Sequence, residues 1–405
     1  MNPRPPLHKR TSHHLKRALY RAAHLDGWLD RWARGETRAR SLVRERLLLR
    51  LFPERHMRQS PFREAPTPPT PGLARILALV PPEDSGGASR PAQLAAELHR
   101  RGWAIEWRWA LPIYPWPRLR RPQIPGVDAR PLEEAEPAIT PADLVLLEAP
   151  HPDLWRHARG EERNGPLVYD AIDLWDGDLG AGWYDRAVED DVLRNADLLV
   201  ASARRLEEEI ANRVGRPVVC LPNAVDATRF DPRSTPLPLR CGQPTVIYIG
   251  ALWGAWVDLD LIAHLARALP EAAIHLVGPA GGRVLPSAPN IHIHGPRPWK
   301  DIPGLLAAAD VAIIPFEPSR LSDAVSPLKV FEYLAMQRPV VATRMPELEG
   351  FPGVVTAADP TEFARAVRSA GSTCPDSETL ASFVSENTWP RRVDRLLELT
   401  RSIRR

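Results

Sequence analysis

Residues 75–102 read RILALVPPEDSGGASRPAQLAAELHRRG. A β-rich apolar run stops at two prolines, a polar turn with the adjacent glycines Gly86 and Gly87 follows, and the apolar residues then recur at helical spacing up to Gly102. A strand followed directly by a helix opens a parallel sheet, because a parallel neighbour can be reached only through a crossover connection. The alternation continues with strands at DLVLLEA (143–149), PLVYDAI (166–172), DLLVAS (197–202) and PVVCLP (217–222), and helices at EDDVLRNA (189–196) and ARRLEEEIANRVG (203–215). The proline-rich passage DPRSTPLPLRCGQP (231–244) then interrupts it. A second series begins, with strands at TVIYIG (245–250), AIHLVG (273–278), IHIHG (291–295), VAIIPF (311–316) and VVAT (340–343). The predicted fold class is α/β, with two Rossmann-like, doubly wound parallel-sheet domains facing a cleft. Neither half carries a GxGxxG turn or a GxxxxGK[ST] loop, so neither a conventional dinucleotide site nor a P-loop is expected.

The remainder of the chain fits around these domains. Its 405 residues, 44% hydrophobic and 25% charged, suit two globular domains. No stretch approaches the roughly 18 uninterrupted apolar residues of a membrane span, and MNPRPPLHKRTSHH has no apolar secretory core, so a cytoplasmic location is expected. Cys220, Cys241 and Cys374 are far apart and lack metal-ligand spacing, which predicts buried, inert thiols and no metal site. The net charge of +3 conceals an asymmetry: residues 1–70 hold sixteen Lys/Arg against six Asp/Glu, a net +10, leaving −7 elsewhere. Within that basic arm Leu15, Leu19, Ala22, Leu25, Leu29 and Trp32 share a helical face. Two readings stand for residues 1–60: attachment to an anionic membrane surface, or helices packed on the body. RQSPFREAPTPPTPG forms a linker, and nucleic acid is not expected as a partner of a basic arm on an acidic body. The predicted divisions are an arm and linker at 1–72, a first domain at 73–238, a second at 239–385 and a closing helix at 386–405.

Four segments stand out: SGGASRPAQLAAELHRRGW; the run from PLVYDAIDLWDGD to PNAVDATRF; VIYIGALWGAWVDLDLIAHLARALPEAAIHLVGP; and VAIIPFEPSRLSDAVSPLKVFEYLAMQRPVVATRMPELE. Together they resemble the GT-B glycosyltransferases of the group 1, family 4 type. SENTWPRRVDRLLELT is similar to the last family helix, which returns to the first domain and would be anchored there by Trp389. The resemblance implies a polysaccharide-biosynthesis enzyme that moves a sugar from a nucleotide diphosphate sugar to a glycan or lipid-linked acceptor, with retention of configuration and without metal or other cofactor.

It also implies a distribution of roles. Glu332 would receive the ribose hydroxyls of the donor. The amides of Leu328 and Lys329 at a helix N-terminus would face the diphosphate, Ser326 would cap that helix with Pro327 in its first turn, and Lys329 and Arg320 would supply positive charge. Gly87 and Gly250 would let the backbone approach the donor. His151 would act near the transferred sugar, unless it is an ordinary surface histidine between prolines. Asp170 and Asp173 would touch acceptor hydroxyls or cap the next helix. Asn223 and Asp226 would shape the interdomain turn or touch the donor.

The sequence departs from the family in two places. Residues 251–262 lack the Arg and Lys that many relatives use on the diphosphate, although Trp256–Asp258 resembles a subgroup with WxD there, and Ala324 replaces the usual second Glu, with Asp323 as the nearest substitute. A non-catalytic GT-B scaffold within a glycan-synthesising complex, and a nucleotide-sugar epimerase of the same architecture, are the competing readings.

Overall fold

The computed structural model describes residues 72–82, 89–110, 126–132, 141–160, 163–254, 256–373 and 375–403. The expectations for the basic arm, for Gly86 and Gly87 and for Cys374 lie outside them. Residues 72–281 and 285–405 belong to one compact unit.

The first sheet contains β1 (Leu73–Ala78), β2 (Ala104–Trp109), β3 (Val127–Pro131), β4 (Leu144–Leu147), β5 (Leu167–Ala171), β6 (Leu198–Ala201) and β7 (Val219–Cys220), in the spatial order 3-2-1-4-5-6-7. Between them run helices α1 (Arg90–Arg100), α2 (Pro152–Gly160), α3 (Arg186–Asn195) and α4 (Arg204–Val214). The second sheet repeats the plan with β8 (Thr245–Ile249), β9 (Ala273–Val277), β10 (Ile291–Gly295), β11 (Val311–Ile314), β12 (Val340–Thr343) and β13 (Val354–Ala357), in the order 10-9-8-11-12-13. Its helices are α5 (Leu259–Ala268), α6 (Ile302–Ala307), α7 (Arg320–Asp323), α8 (Leu328–Ala335), α9 (Pro360–Thr373) and α10 (Ser377–Glu386). All strand pairings within both sheets are parallel. Helices on both faces leave the central strands no wet side, which is why β4, β5, β9, β11 and β12 are buried at every residue, with β4 and β11 reading as unbroken apolar runs.

A charged residue in such a strand must carry its partner with it. Arg75 of β1 is fully buried, and its Nε donates to Glu106 of the neighbouring β2 at 2.8 Å. Three histidines meet on the edge strand pair: His275 Nδ1 lies 2.8 Å from His294 Nε2, His275 Nε2 lies 2.8 Å from the carbonyl of Arg240, and the His292 ring is 5.0 Å from that of His275. Cys220 is half-buried, with its thiol pushed up to about 12 by burial, whereas Cys241 is exposed rather than buried as expected, because it sits in the polar connection between the domains. Among the described residues no helix is long and apolar enough to cross a membrane.

The last helix, α11 (Trp389–Ile403), leaves the second domain and completes the first. Trp389, Val393 and Leu396 are buried in one cluster with Ala74, Ile76, Leu94 and Leu146. The turn into the helix is tied to the interdomain connection, since the amide of Val225 donates to Asn387 O at 3.0 Å and that of Trp389 to Val225 O at 3.4 Å. Two side chains also bridge the sheet domains. Glu347 accepts from the amide of Arg204 at the start of α4, at 3.0 Å, and Arg320 pairs with Asp176 and Glu209 of the first domain.

Candidate active site

In doubly wound sheets, ligands bind beyond the carboxyl ends of the strands where the strand order reverses. Here those points lie between β1 and β4 and between β8 and β11.

At the second point the chain leaves β8 through Gly250 at φ +148, a backbone conformation that side-chain-bearing residues seldom adopt. A Cβ there would stand 3.1 Å from Lys329 Cε and 3.2 Å from its Nζ. Gly278 at the end of β9 is needed for a second reason: a Cβ on it would lie 1.8 Å from the carbonyl oxygen of Gly250. The two glycines let the β8 and β9 ends approach and leave room for the lysine. Lys329 lies in the first turn of α8, and its ammonium stands 4.6 Å from the Phe316 ring and 5.2 Å from that of Tyr248. Helix α8 is held in place on its far side. The Tyr333 hydroxyl accepts from the amide of Ile249 at 2.9 Å, and Phe331 packs on Phe351 and Phe383 with ring centroids 5.6 and 6.1 Å apart.

Glu332, one turn beyond Lys329, is 8% exposed, and its carboxylate makes no hydrogen bond or ion pair with any described residue. Burial pushes its carboxyl up to about 8, with Lys329 opposing the shift, and burial pulls the Lys329 ammonium down to about 8, opposed by Glu332. Among the described residues no group accepts from the amides of Leu328 and Lys329. This helix start therefore offers two unpaired N–H groups, an ammonium and a carboxyl, a set suited to an anion joined to a hydroxyl-bearing ring.

Of the neighbouring expectations, the cap at Ser326 and the place of Arg320 at the helix start are corrected. Ser326 does not cap α8: Pro327 occupies the cap position, and the Ser326 hydroxyl and carbonyl face Asn223, accepting from its amide at 3.4 Å and its Nδ2 at 2.6 Å. Arg320 is turned from the helix start toward Asp176, at 2.9 Å, and Glu209, at 2.5 Å, because α7 faces an acidic edge of the first domain. Ala324 is buried with Leu77, Leu147 and Tyr169 of the first domain, an apolar site that would penalise the glutamate expected from the family pattern. Asp323 ends α7, half-buried, with no ion pair to a described residue. Asp258 caps α5, accepting from the amide of Leu261 at 2.7 Å, and Trp256 packs on Trp253 with centroids 4.6 Å apart. Asp226 closes its own turn by accepting from the amide and hydroxyl of Thr228.

At the first point, beyond β4 and β5, the polar groups are mostly satisfied. Asp170 is 5% exposed and gripped by Arg90, whose Nε lies 3.0 and 2.8 Å from its two oxygens and whose Nη2 lies 2.9 Å from one of them. Both oxygens of Asp170 are thereby engaged within the protein. His151 precedes α2, and its Nδ1 accepts from the amide of Asp153 at 3.1 Å, which places the proton of the neutral ring on Nε2. The ring lies 5.5 Å from that of Trp183, which in turn lies 5.3 Å from Trp175. Asp173 is half-buried with its carboxyl pushed up to about 7 by burial. Glu148, absent from the sequence-based set, is 8% exposed and accepts from the amide of Leu79 at 3.0 Å; burial, and to a smaller degree the nearby Asp170 and Asp173, push it up to about 7. Its signal was present in DLVLLEA, where a carboxylate ends a wholly apolar strand.

Residues 243–371 match the family described as glycosyl transferases group 1. The chain is 30% identical over 202 residues to TuaH of Bacillus subtilis (strain 168), a protein named as a teichuronic acid biosynthesis glycosyltransferase; the match covers 44% of this chain and 51% of that protein, so the chain spans about half the length of this curated relative. Among solved structures it is similar to sucrose-phosphate synthase from Thermosynechococcus elongatus, with TM-score 0.59, 14% identity, and 82% of this chain and 99% of the other covered. It is also similar to Anabaena HepE in complex with UDP and glucose, with TM-score 0.58, 17% identity, and 81% and 99% covered. These two likenesses establish the GT-B fold of two parallel-sheet domains. Glu332, Lys329 and Gly250 all fall within the matched residues.

Proposed function

We propose that the chain transfers a sugar from a nucleoside diphosphate sugar to a glycan or lipid-linked acceptor, with retention of configuration. The observation that carries this reading is the start of α8, where Glu332 is buried without a partner beside Lys329 and two unpaired amides. In the proposed complex the diphosphate lies against those amides and the ammonium, and the ribose hydroxyls donate to Glu332. As the bond between the anomeric carbon and the diphosphate oxygen breaks, the acceptor oxygen bonds to that carbon on the same face, and its proton passes to an oxygen of the leaving diphosphate. Charge neutralisation then falls on Lys329 and the α8 N-terminus, with no metal in the scheme. The acceptor would lie toward His151, Asp173 and Glu148. The naming of TuaH for teichuronic acid biosynthesis supports an envelope glycan as acceptor, and the HepE complex makes UDP the first nucleotide to try.

A scaffold without activity would give no reason to bury an unpaired carboxyl, whose desolvation disfavours folding. Calorimetric titration with UDP, GDP, ADP and dTDP tests the proposal. We expect saturable binding of one of them by the wild type and its loss in Glu332→Ala; a folded wild type that binds none would reject the reading.

A further inference from the structure

The Arg90–Asp170 pair could be only a means of closing the first domain, but the guanidinium does not stop at Asp170. Its Nη1 donates to Asn223 Oδ1 at 3.3 Å, and Asn223 Nδ2 donates in turn to the carbonyl of Ser326 at 2.6 Å. Arg90 is 2% exposed, Asn223 6% and Ser326 2%, so the chain of contacts is shielded from water throughout. It runs from the first residue of α1 to the residue two positions before α8, linking the switch points of the two sheets. The same asparagine is held from a third direction. Arg392 of α11 donates through Nε to Pro222 O at 2.8 Å and through Nη2 to Asn223 O at 3.2 Å.

The chemistry at position 223 explains why an amide stands there. The side chain must accept from a guanidinium with one atom and donate to a carbonyl with the other, and Asn does both at this length. Its two neighbours also fix which way the amide points, since the reversed amide would set N–H against guanidinium and oxygen against oxygen.

We infer that Arg90 is a positioning residue for the donor helix, acting through Asn223 to hold the Ser326 carbonyl and with it the first turn of α8. The inference rests on reading that turn as the donor site, but its structural half does not need a ligand. Arg90 touches neither Lys329 nor Glu332; it sets where the amides of Leu328 and Lys329 point.

Asn223→Asp discriminates. It keeps an oxygen facing Arg90, with added attraction, and replaces the N–H aimed at Ser326 by an oxygen. Arg90→Lys is the companion variant, since an ammonium can pair with Asp170 but lacks the planar fork that also reaches Asn223. In the full-length protein we expect both variants to melt within a few degrees of wild type. Amide exchange at Val330, whose N–H donates to Pro327 O at 3.1 Å, and at the α8 residues that follow it should rise about tenfold in the absence of ligand, and UDP binding should weaken about tenfold. Wild-type exchange at these residues in folded Asn223→Asp, or unchanged UDP affinity in either variant, would overturn the inference. If wild type binds no nucleoside diphosphate, the proposed function fails, whereas the exchange measurement still decides whether the relay holds the helix.

Discussion

The two switch points of this molecule share one backbone plan and treat their charges in opposite ways. In the first domain Asp170 is buried and fully paired, and His151 spends one ring nitrogen on a helix start. In the second, Glu332 is equally secluded and unpaired. The contrast separates a carboxylate that holds the fold from a carboxyl kept for a ligand. A paired buried ion costs most when its partner is removed, whereas a carboxyl buried without a hydrogen-bond partner opposes folding and is retained only where something binds.

Removing each carboxylate in turn is the sharpest way to break the comparison, and the largest effect is expected from Asp170→Ala. That change strands the buried Arg90 guanidinium, so urea unfolding should show a loss of about 3–5 kcal/mol. Glu332→Gln should show the inverse: melting temperature unchanged or raised, with UDP affinity down about 100-fold, or ~2.7 kcal/mol, by calorimetry. A Glu332→Gln protein destabilised as much as Asp170→Ala would erase the distinction.

How much of this was legible beforehand follows from the range of each interaction. The sheets could be read from VAII and VVAT because complete burial writes itself into consecutive residues. Glu332 could be placed because the resemblance around PLKVFEYLA is local. The pairing of Asp170 could not be read because its partner lies 80 residues earlier, and no spacing rule marks Arg90. Ser326 has the composition of a cap, and only the interdomain contact with Asn223 shows that its oxygens are used elsewhere.

The next effect in size is a pH dependence. Lys329 is drawn down to about 8 and Glu332 pushed up to about 8 by the same burial. Below pH 8 the site holds an ammonium and a neutral carboxyl; above it, a neutral amine and a carboxylate. The net charge therefore changes from positive to negative, and a diphosphate loses affinity as pH rises through that value. Titrations at pH 7, 8 and 9 should show UDP weakening by up to about tenfold per unit at the alkaline end. A flat profile would mean that the ammonium does not face the diphosphate. The smallest effect is assigned to Arg320→Ala. Its pairs with Asp176 and Glu209 are more than half exposed on the arginine side, so the loss of stability should stay below about 1 kcal/mol and UDP affinity should not move. A tenfold loss of affinity would return Arg320 to the donor site.

The return of α11 has a consequence for how the protein comes into being. Trp389, Val393 and Leu396 are synthesised after the whole of the second sheet, yet they complete the packing of the first domain. That domain cannot close its apolar face while the ribosome is still making the second. It must remain partly open until α11 has emerged, and a product that stops before Trp389 would leave the ribosome with two domains and one unfinished interior.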